Sequence, residues 1–315
     1  MRALLYDGQL RLAELPVPST EAGQALLKIR RAGICNTDLE LIKGMYGFQG
    51  VLGHEFVAEV VDGPQELLGR RVVGEINVAC DQCDFCYRGI PSQCRHRSTV
   101  GIHEHPGAFA EYLALKTANL HVVPDDISDD QAVFVEPLAA ALEVLASAHI
   151  SPHDRVVILG VGKLGMLVAQ AVRLTGADVV AVVRREKQAR LLEGWGIPSV
   201  AFADLEPESA QVVVDSTGQA SGFADALQLV ESRGTIILNS TYHGLPQIDM
   251  TQVAVREIKV VGSRCGCFPA ALRVLKAGLV DVEPLIDDRY PFAQALQAID
   301  RAAEKGVLKV LLDFD

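Results

Sequence analysis

The stretch RVVILGVGKLGMLVAQAVRLTGADVVAVV, residues 155–183, constrains the fold more than any other part of the chain. An apolar run ends in glycines, a helical pattern follows, and a second apolar run closes the segment. This is the spacing of strand, tight turn, helix and strand. Further strand-like runs at QVVVDSTG and RGTIILNS, with helical stretches between them, continue the alternation and predict a parallel, doubly wound α/β sheet. Gly160, Gly162 and Gly165 form G-x-G-x-x-G directly after the first strand, with Lys163 and Leu164 inside the turn. In that context the glycines let the backbone approach a pyrophosphate at a helix N-terminus, where amide groups favour negative charge. A packing turn without ligand is the alternative reading of the same glycines.

The first 125 residues have a different texture. Short β-like runs such as ALLKIRRAGI, FVAEVVD and RRVVGEI are divided by Gly and Pro, which predicts a β-rich unit. After VVPDDISDDQA, the segment FVEPLAAALEVLASAHI predicts a long apolar helix with Pro137 near its start. A chain of 315 residues, 49% hydrophobic, has material for two cores. Its formal net charge of -11 repels phosphate backbones and anionic lipid, so neither nucleic acid nor membrane is an expected partner. The N-terminal MRALLYDGQLRLAELP lacks the apolar core of a signal peptide, and no uncharged apolar run is long enough to span a bilayer. The expected setting is cytoplasmic.

Four of the 7 cysteines crowd into CDQCDFCYRGIPSQC. Cys80, Cys83, Cys86 and Cys94 supply four thiolates on one loop, which suits tetrahedral zinc with no position open to substrate. An iron–sulfur cluster also takes four cysteines and stays open as an alternative. Elsewhere, Cys35 in GICNTDLE, His54 and Glu55 in VLGHEF, and Glu136 in VEPLA are all accepted zinc-ligand types. Each also has a plain structural reading: a small buried thiol, a core histidine, a surface acid and an acid at a helix start.

The order GICNTD, GHE, the four-cysteine loop, EPLA and GVGKLG resembles the zinc-dependent medium-chain dehydrogenase/reductase family, in its polyol, threonine and glucose dehydrogenase branch. The resemblance runs over nearly the whole chain. It implies a GroES-like β-rich catalytic domain over 1–137 and 262–315, carrying the structural zinc loop 80–94, and a Rossmann domain over 138–261. It also implies a catalytic zinc on Cys35, His54 and a carboxylate, Glu55 or Glu136, and hence two zinc ions per chain. The reaction implied is hydride exchange between an alcohol or polyol and a nicotinamide cofactor. Thr37 would pass the hydroxyl proton toward solvent and Asp38 would hold His54 from behind. Thr217 and Asn239, at the ends of two later strands, would join the glycine turn in contacting the cofactor. With Cys35, neutral His54 and one carboxylate the zinc site totals zero charge, so both glutamates are not expected as tight ligands at once. Glu40 stands where many relatives carry a histidine in the proton relay, and the loop after GHEFVAEVVDG is shorter than usual. A zinc-independent alkene or quinone reductase, and a non-catalytic NADPH sensor of the same fold, are the rival classes.

Two further expectations concern the cofactor and assembly. An NAD site usually places an acid about 20 residues past the glycine turn, at the end of the second strand. Here Arg184 stands in that slot, followed by Arg185 and Lys187, and the three cations predict a preference for NADP over NAD. Solvated charges at a strand end are the bland alternative. RGTIILNS and IDMTQVAVREIKVVGS offer apolar strand candidates for a sheet edge, which with the resemblance predicts a homodimer or homotetramer.

Overall fold

Strand Arg155–Leu159, helix Gly165–Arg173 and strand Asp178–Val182 occupy the alternating segment in a computed structural model, which describes residues 1–241 and 247–314. Strand Arg155–Leu159 pairs in parallel with Asp178–Val182 on one side and Ala210–Asp215 on the other. The full sheet runs Ser199–Val200, Asp178–Val182, Arg155–Leu159, Ala210–Asp215, Val230–Leu238 and Lys259–Gly262. Its inner strands are covered on both faces, which explains their unbroken valine and isoleucine runs. Chain direction across the sheet reverses at Arg155–Leu159, so the ends of that strand and of Ala210–Asp215 border the switch point where ligands bind in such sheets.

The glycines at that point are needed for close approach. Gly160 has φ +84, and a Cβ there would meet Thr217 Cα at 2.7 Å. A Cβ on Gly165 would lie 1.9 Å from the carbonyl oxygen of Gly160. Helix and strand can therefore pack at this distance only without side chains.

A seven-stranded sheet is built around strand Gln24–Gly33, which pairs antiparallel with Glu55–Asp62, Tyr112–Lys116 and Lys309–Asp313. Arg71–Gly74 and Leu120–Val122 extend it on one side and Ile286–Pro291 on the other. All three β-like runs read from the first 125 residues supply strands, and the long apolar run forms helix Val135–Ser147. Contacts divide the chain into one unit of Met1–Glu136 with Ala271–Asp315 and another of Pro137–Ala270. Among the described residues, no helix is long and apolar enough to cross a membrane.

One sequence expectation is corrected. Within IDMTQVAVREIKVVGS, Met250–Val255 is a helix, and the edge strand is the short Lys259–Gly262. The Asp249 carboxylate accepts the Thr251 N–H at 3.0 Å, an N-cap that outweighs the β-branched content of the run.

The approach to His54 also depends on glycines. Residues 107–109 zip onto 51–53 through N–H donations from Gly107 to Val51, Ala108 to Gly53 and Phe109 to Leu52, each at 2.8 Å. A Cβ on Gly107 would sit 2.1 Å from the Leu52 oxygen and 2.5 Å from that of Gly53. Gly107→Ala is therefore expected to cost about 1–3 kcal/mol by overpacking. Urea unfolding checks this, and an unchanged midpoint would refute the close packing.

Candidate functional site

Cys35 caps helix Asn36–Ile42 and begins the central cluster. The fully buried Asp38 accepts the Cys35 N–H on Oδ2 at 2.8 Å and the Gly53 N–H on Oδ1 at 3.2 Å. Its Oδ1 also lies 3.3 Å from Nδ1 of His54, close enough for charge attraction but misaligned for a hydrogen bond. Burial opposes a charge on His54, yet Asp38 and Cys35 outweigh it and hold the imidazole well above its ordinary range. Thr37 Oγ1 is 3.7 Å from the Cys35 sulfur, beside the donor atoms and half-buried.

Donor atoms of Cys35, His54 and Glu55 all lie within 4.8 Å of one another. Tetrahedral bonds of about 2.0–2.3 Å set donors about 3.3–3.8 Å apart, so a small contraction lets this set grip zinc. Glu136 lies outside that mutual set but senses it. Desolvation, with help from the Glu55 and Asp38 charges and against His54 and Lys309, raises its carboxyl to about 7.

Lys309 belongs to none of the sequence motifs. Its ammonium forms an ion pair with the Glu55 carboxylate; both side chains are buried, and the ammonium also stands 5.5 Å over the Phe134 ring. Burial pulls the lysine down, but Glu55, Cys35 and Glu136 more than offset it and keep it charged. Gly33 makes room, since a Cβ there would lie 2.7 Å from Glu55 Oε2. The available signal was a lone lysine inside the apolar run VLKVLLDF.

The second cluster is local. Donor atoms of Cys80, Cys83, Cys86 and Cys94 converge, with Cys83 Sγ 3.5 Å from Cys86 Sγ and 3.8 Å from Cys94 Sγ. Zn–S bonds of about 2.3 Å demand a spacing of about 3.8 Å, so the donors fit the metal. Backbone N–H groups of Cys80 and His96 point at Cys94 Sγ, at 3.2 and 3.4 Å. Backbone donors from Arg95 and Cys86 pull Cys83 down to about 6, whereas desolvation and the neighbouring Cys83 and Cys94 push Cys86 up to about 11. Four sulfurs this close require a cation before all can ionise.

At the glycine turn, a Cβ on Gly162 would meet nothing within 4 Å, so its backbone faces open space. Leu164 caps helix Gly165–Arg173, with Lys163 just before it. Thr217 donates both its N–H, at 2.9 Å, and its hydroxyl, at 2.7 Å, to Oδ1 of the buried Asp215. Asn239 spends its amide donors on Ala140 O at 3.4 Å and Ser263 O at 3.3 Å, leaving Oδ1 buried with no partner. Arg184 and Arg185 follow strand Asp178–Val182, and Lys187 lies in the next helix; all three are exposed. Arg184 acts electrostatically on Asp225, whose carboxyl is raised by desolvation and Asp215 in spite of it.

Replacing Lys309 by Met conserves volume but leaves Glu55 without its countercharge, at an expected cost of about 3–5 kcal/mol. The double change Lys309→Met with Glu55→Gln should recover part of that loss in urea unfolding. Simple additivity would show that the pair is not coupled.

Comparison with known proteins matches residues 21–125 to the alcohol dehydrogenase GroES-like domain and residues 164–277 to the zinc-binding dehydrogenase family. The chain is 30% identical to the L-threonine 3-dehydrogenase of Shewanella woodyi, over 96% of each chain. It is 28% identical to the D-arabitol-phosphate dehydrogenase of Enterococcus avium, over 98% of this chain and 94% of that one. Among solved structures, a Sinorhizobium meliloti protein bound to NADP superposes with a TM-score of 0.90, at 26% identity over 99% of both chains. The alcohol dehydrogenase of Thermus sp. ATN1 gives 0.88 at 25% identity, again over 99% of both.

Proposed function

The chain belongs to the zinc-containing medium-chain alcohol dehydrogenase family and is a zinc- and NAD(P)-dependent dehydrogenase of alcohols or polyols; from that premise we propose the roles of its residues, its preferred cofactor and its assembly. The observation that carries the site reading is the convergence of Cys35, His54 and Glu55 around one point. Cys35, His54 and Glu55 would hold zinc there, and bound zinc would supply the Lewis acidity that makes a substrate hydroxyl more acidic or a carbonyl more electrophilic. Thr37 Oγ1 takes the hydroxyl proton and passes it outward. Asp38 orients both Cys35 and His54 through its contacts to Cys35 N–H and His54 Nδ1. Glu55, which converges with Cys35 and His54, would be the resting carboxylate ligand and Glu136 its alternate, because two anions beside one thiolate would oppose ionisation of the substrate. The rival zinc-independent reductase has no use for such a donor set.

Cys80, Cys83, Cys86 and Cys94 hold a second, structural zinc. Expected outcomes follow for both metals: elemental analysis gives two zinc ions per chain, Cys35→Ser abolishes turnover while circular dichroism stays native, and Cys83→Ser mainly lowers stability. Retained activity in Cys35→Ser would end the catalytic reading.

Gly160, Gly162, Lys163, Leu164 and Gly165 cradle the pyrophosphate, with Thr217 and Asn239 beside them. For the cofactor we favour NADP. Arg184, Arg185 and Lys187 are exposed cations in the slot where an acid would reject the 2′-phosphate. Charge-assisted contact with one guanidinium is worth about 1.5–3 kcal/mol, or at least about tenfold in affinity. The comparison is kcat/KM with each cofactor in wild type and in Arg184→Asp. Equal efficiencies in wild type, or no shift toward NAD in the variant, would remove Arg184 from phosphate recognition.

Relatives named for threonine, arabitol phosphate and sorbitol support a small hydroxylated substrate. An odd number of cysteines, four of them converging in one loop as metal donors, suits a reducing, cytoplasmic setting. Assembly is proposed through the edge strand Lys259–Gly262, where Val260 is 41% exposed and the nearby Met250 and Val255 are 60% and 76% exposed. Light scattering at micromolar concentration should report a dimer or tetramer; a monomer would refute this.

A further inference from the structure

Two cysteines lie outside both metal sets, Cys265 and Cys267, flanking Gly266 in the loop between strand Lys259–Gly262 and helix Phe268–Lys276. We infer that they form a thiol switch: hydrogen peroxide oxidises the pair to a disulfide, and the bend imposed on the loop weakens binding of the nicotinamide dinucleotide.

The backbone brings the two thiols near one another. Two peptide units span at most about 7 Å, and the separation of the two cysteine Cα atoms is set by the dihedrals of Gly266, a residue with little steric resistance to bending. Disulfides need Cα atoms about 4.4–6.8 Å apart, which a bent Cys-Gly-Cys segment satisfies. The Arg264 guanidinium stands 3.4 Å from Cys265 Sγ, within reach to pair with it once it ionises, and Cys267 is exposed. Attack of the Cys265 sulfur on peroxide breaks the O–O bond, forms S–OH and releases water after protonation. Attack of Cys267 on that sulfur then forms S–S and expels the hydroxyl as a second water. The two thiols lose two electrons and two protons, and one peroxide becomes two waters.

The loop is anchored where a bend would be felt. A Cβ on Gly266 would lie 2.0 Å from the Ala139 oxygen, so the backbone between the thiols is pressed against that carbonyl. The buried Ser263 donates its N–H to Leu238 O at 2.9 Å and accepts Asn239 Nδ2 on its carbonyl at 3.3 Å and its hydroxyl at 3.4 Å. Clamped at Gly266, the loop passes distortion to Ser263 and so to Asn239, because packed interiors transmit strain. This coupling rests on the proposed cofactor role of Asn239.

The test uses zinc-loaded, reduced enzyme titrated with hydrogen peroxide below the dose that releases zinc to a chromophoric chelator. Peptide mapping should find Cys265 joined to Cys267. The Kd for NADPH, read by fluorescence, should rise about fivefold, return after dithiothreitol, and stay unchanged in peroxide-treated Cys267→Ser. A pair that remains reduced while other cysteines oxidise overturns the switch, as does an oxidised wild type with the Kd of the reduced form. Failure of the reduced enzyme to bind either nucleotide would instead overturn the cofactor reading on which the coupling depends.

Discussion

The carboxylate of Asp38 is the constraint on which the central cluster depends. It is fully buried, and a charge in such a place survives only if donors surround it. Those donors come from two separate stretches of chain, the start of helix Asn36–Ile42 and the residues entering strand Glu55–Asp62. One side chain thereby sets the position of the Cys35 backbone and faces the His54 ring. The backbone of residues 51–53 can reach it because Gly53, at φ +96, leaves its Cβ space to the Phe109 ring, while Gly107 lets a neighbouring segment pack without side chains. Packing of carbons and placement of donors are thus the same event.

Charge balance shapes what lies around it. Cys35, Asp38, Glu55 and Glu136 bring four acidic groups into a small volume, answered within the protein by His54 and Lys309. The two cations balance Asp38 and Glu55, so ionising Cys35 and Glu136 as well calls for a further cation. Lys309 stands on the side of Glu55, where Gly33 leaves space for the carboxylate oxygen. In the four-cysteine loop the same demand arises locally, because all four sulfurs and the backbone amides that face them come from residues 80–96.

The dinucleotide unit repeats the device at its switch point. Asp215 is buried and takes the Thr217 N–H and hydroxyl, holding the turn that presses against Gly160. Much of this was readable in advance, since strand, glycine turn and helix leave a pattern that local geometry enforces. Less readable was the stretch 248–263, where β-branched residues argued for strand and a capping aspartate made a helix. Asn239 was legible by position, whereas the use of its amide by Ala140 and Ser263 was not, because those partners lie 99 and 24 residues away.

The sequence by itself determined the units of local chemistry: the four-cysteine loop, the glycine turn, the threonine and aspartate spaced along one helix from Cys35, and the cations after the second parallel strand. Each is written within a few residues, so backbone geometry alone brings its atoms together. Tertiary structure decided which carboxylate joined Cys35 and His54, and what that carboxylate met on its other side. Glu55 and Lys309 are 254 residues apart, placed together by strands that each pair with Gln24–Gly33. A buried charge finds its partner through strand register and the space a neighbouring glycine leaves, and neither of these exists until the sheet has formed.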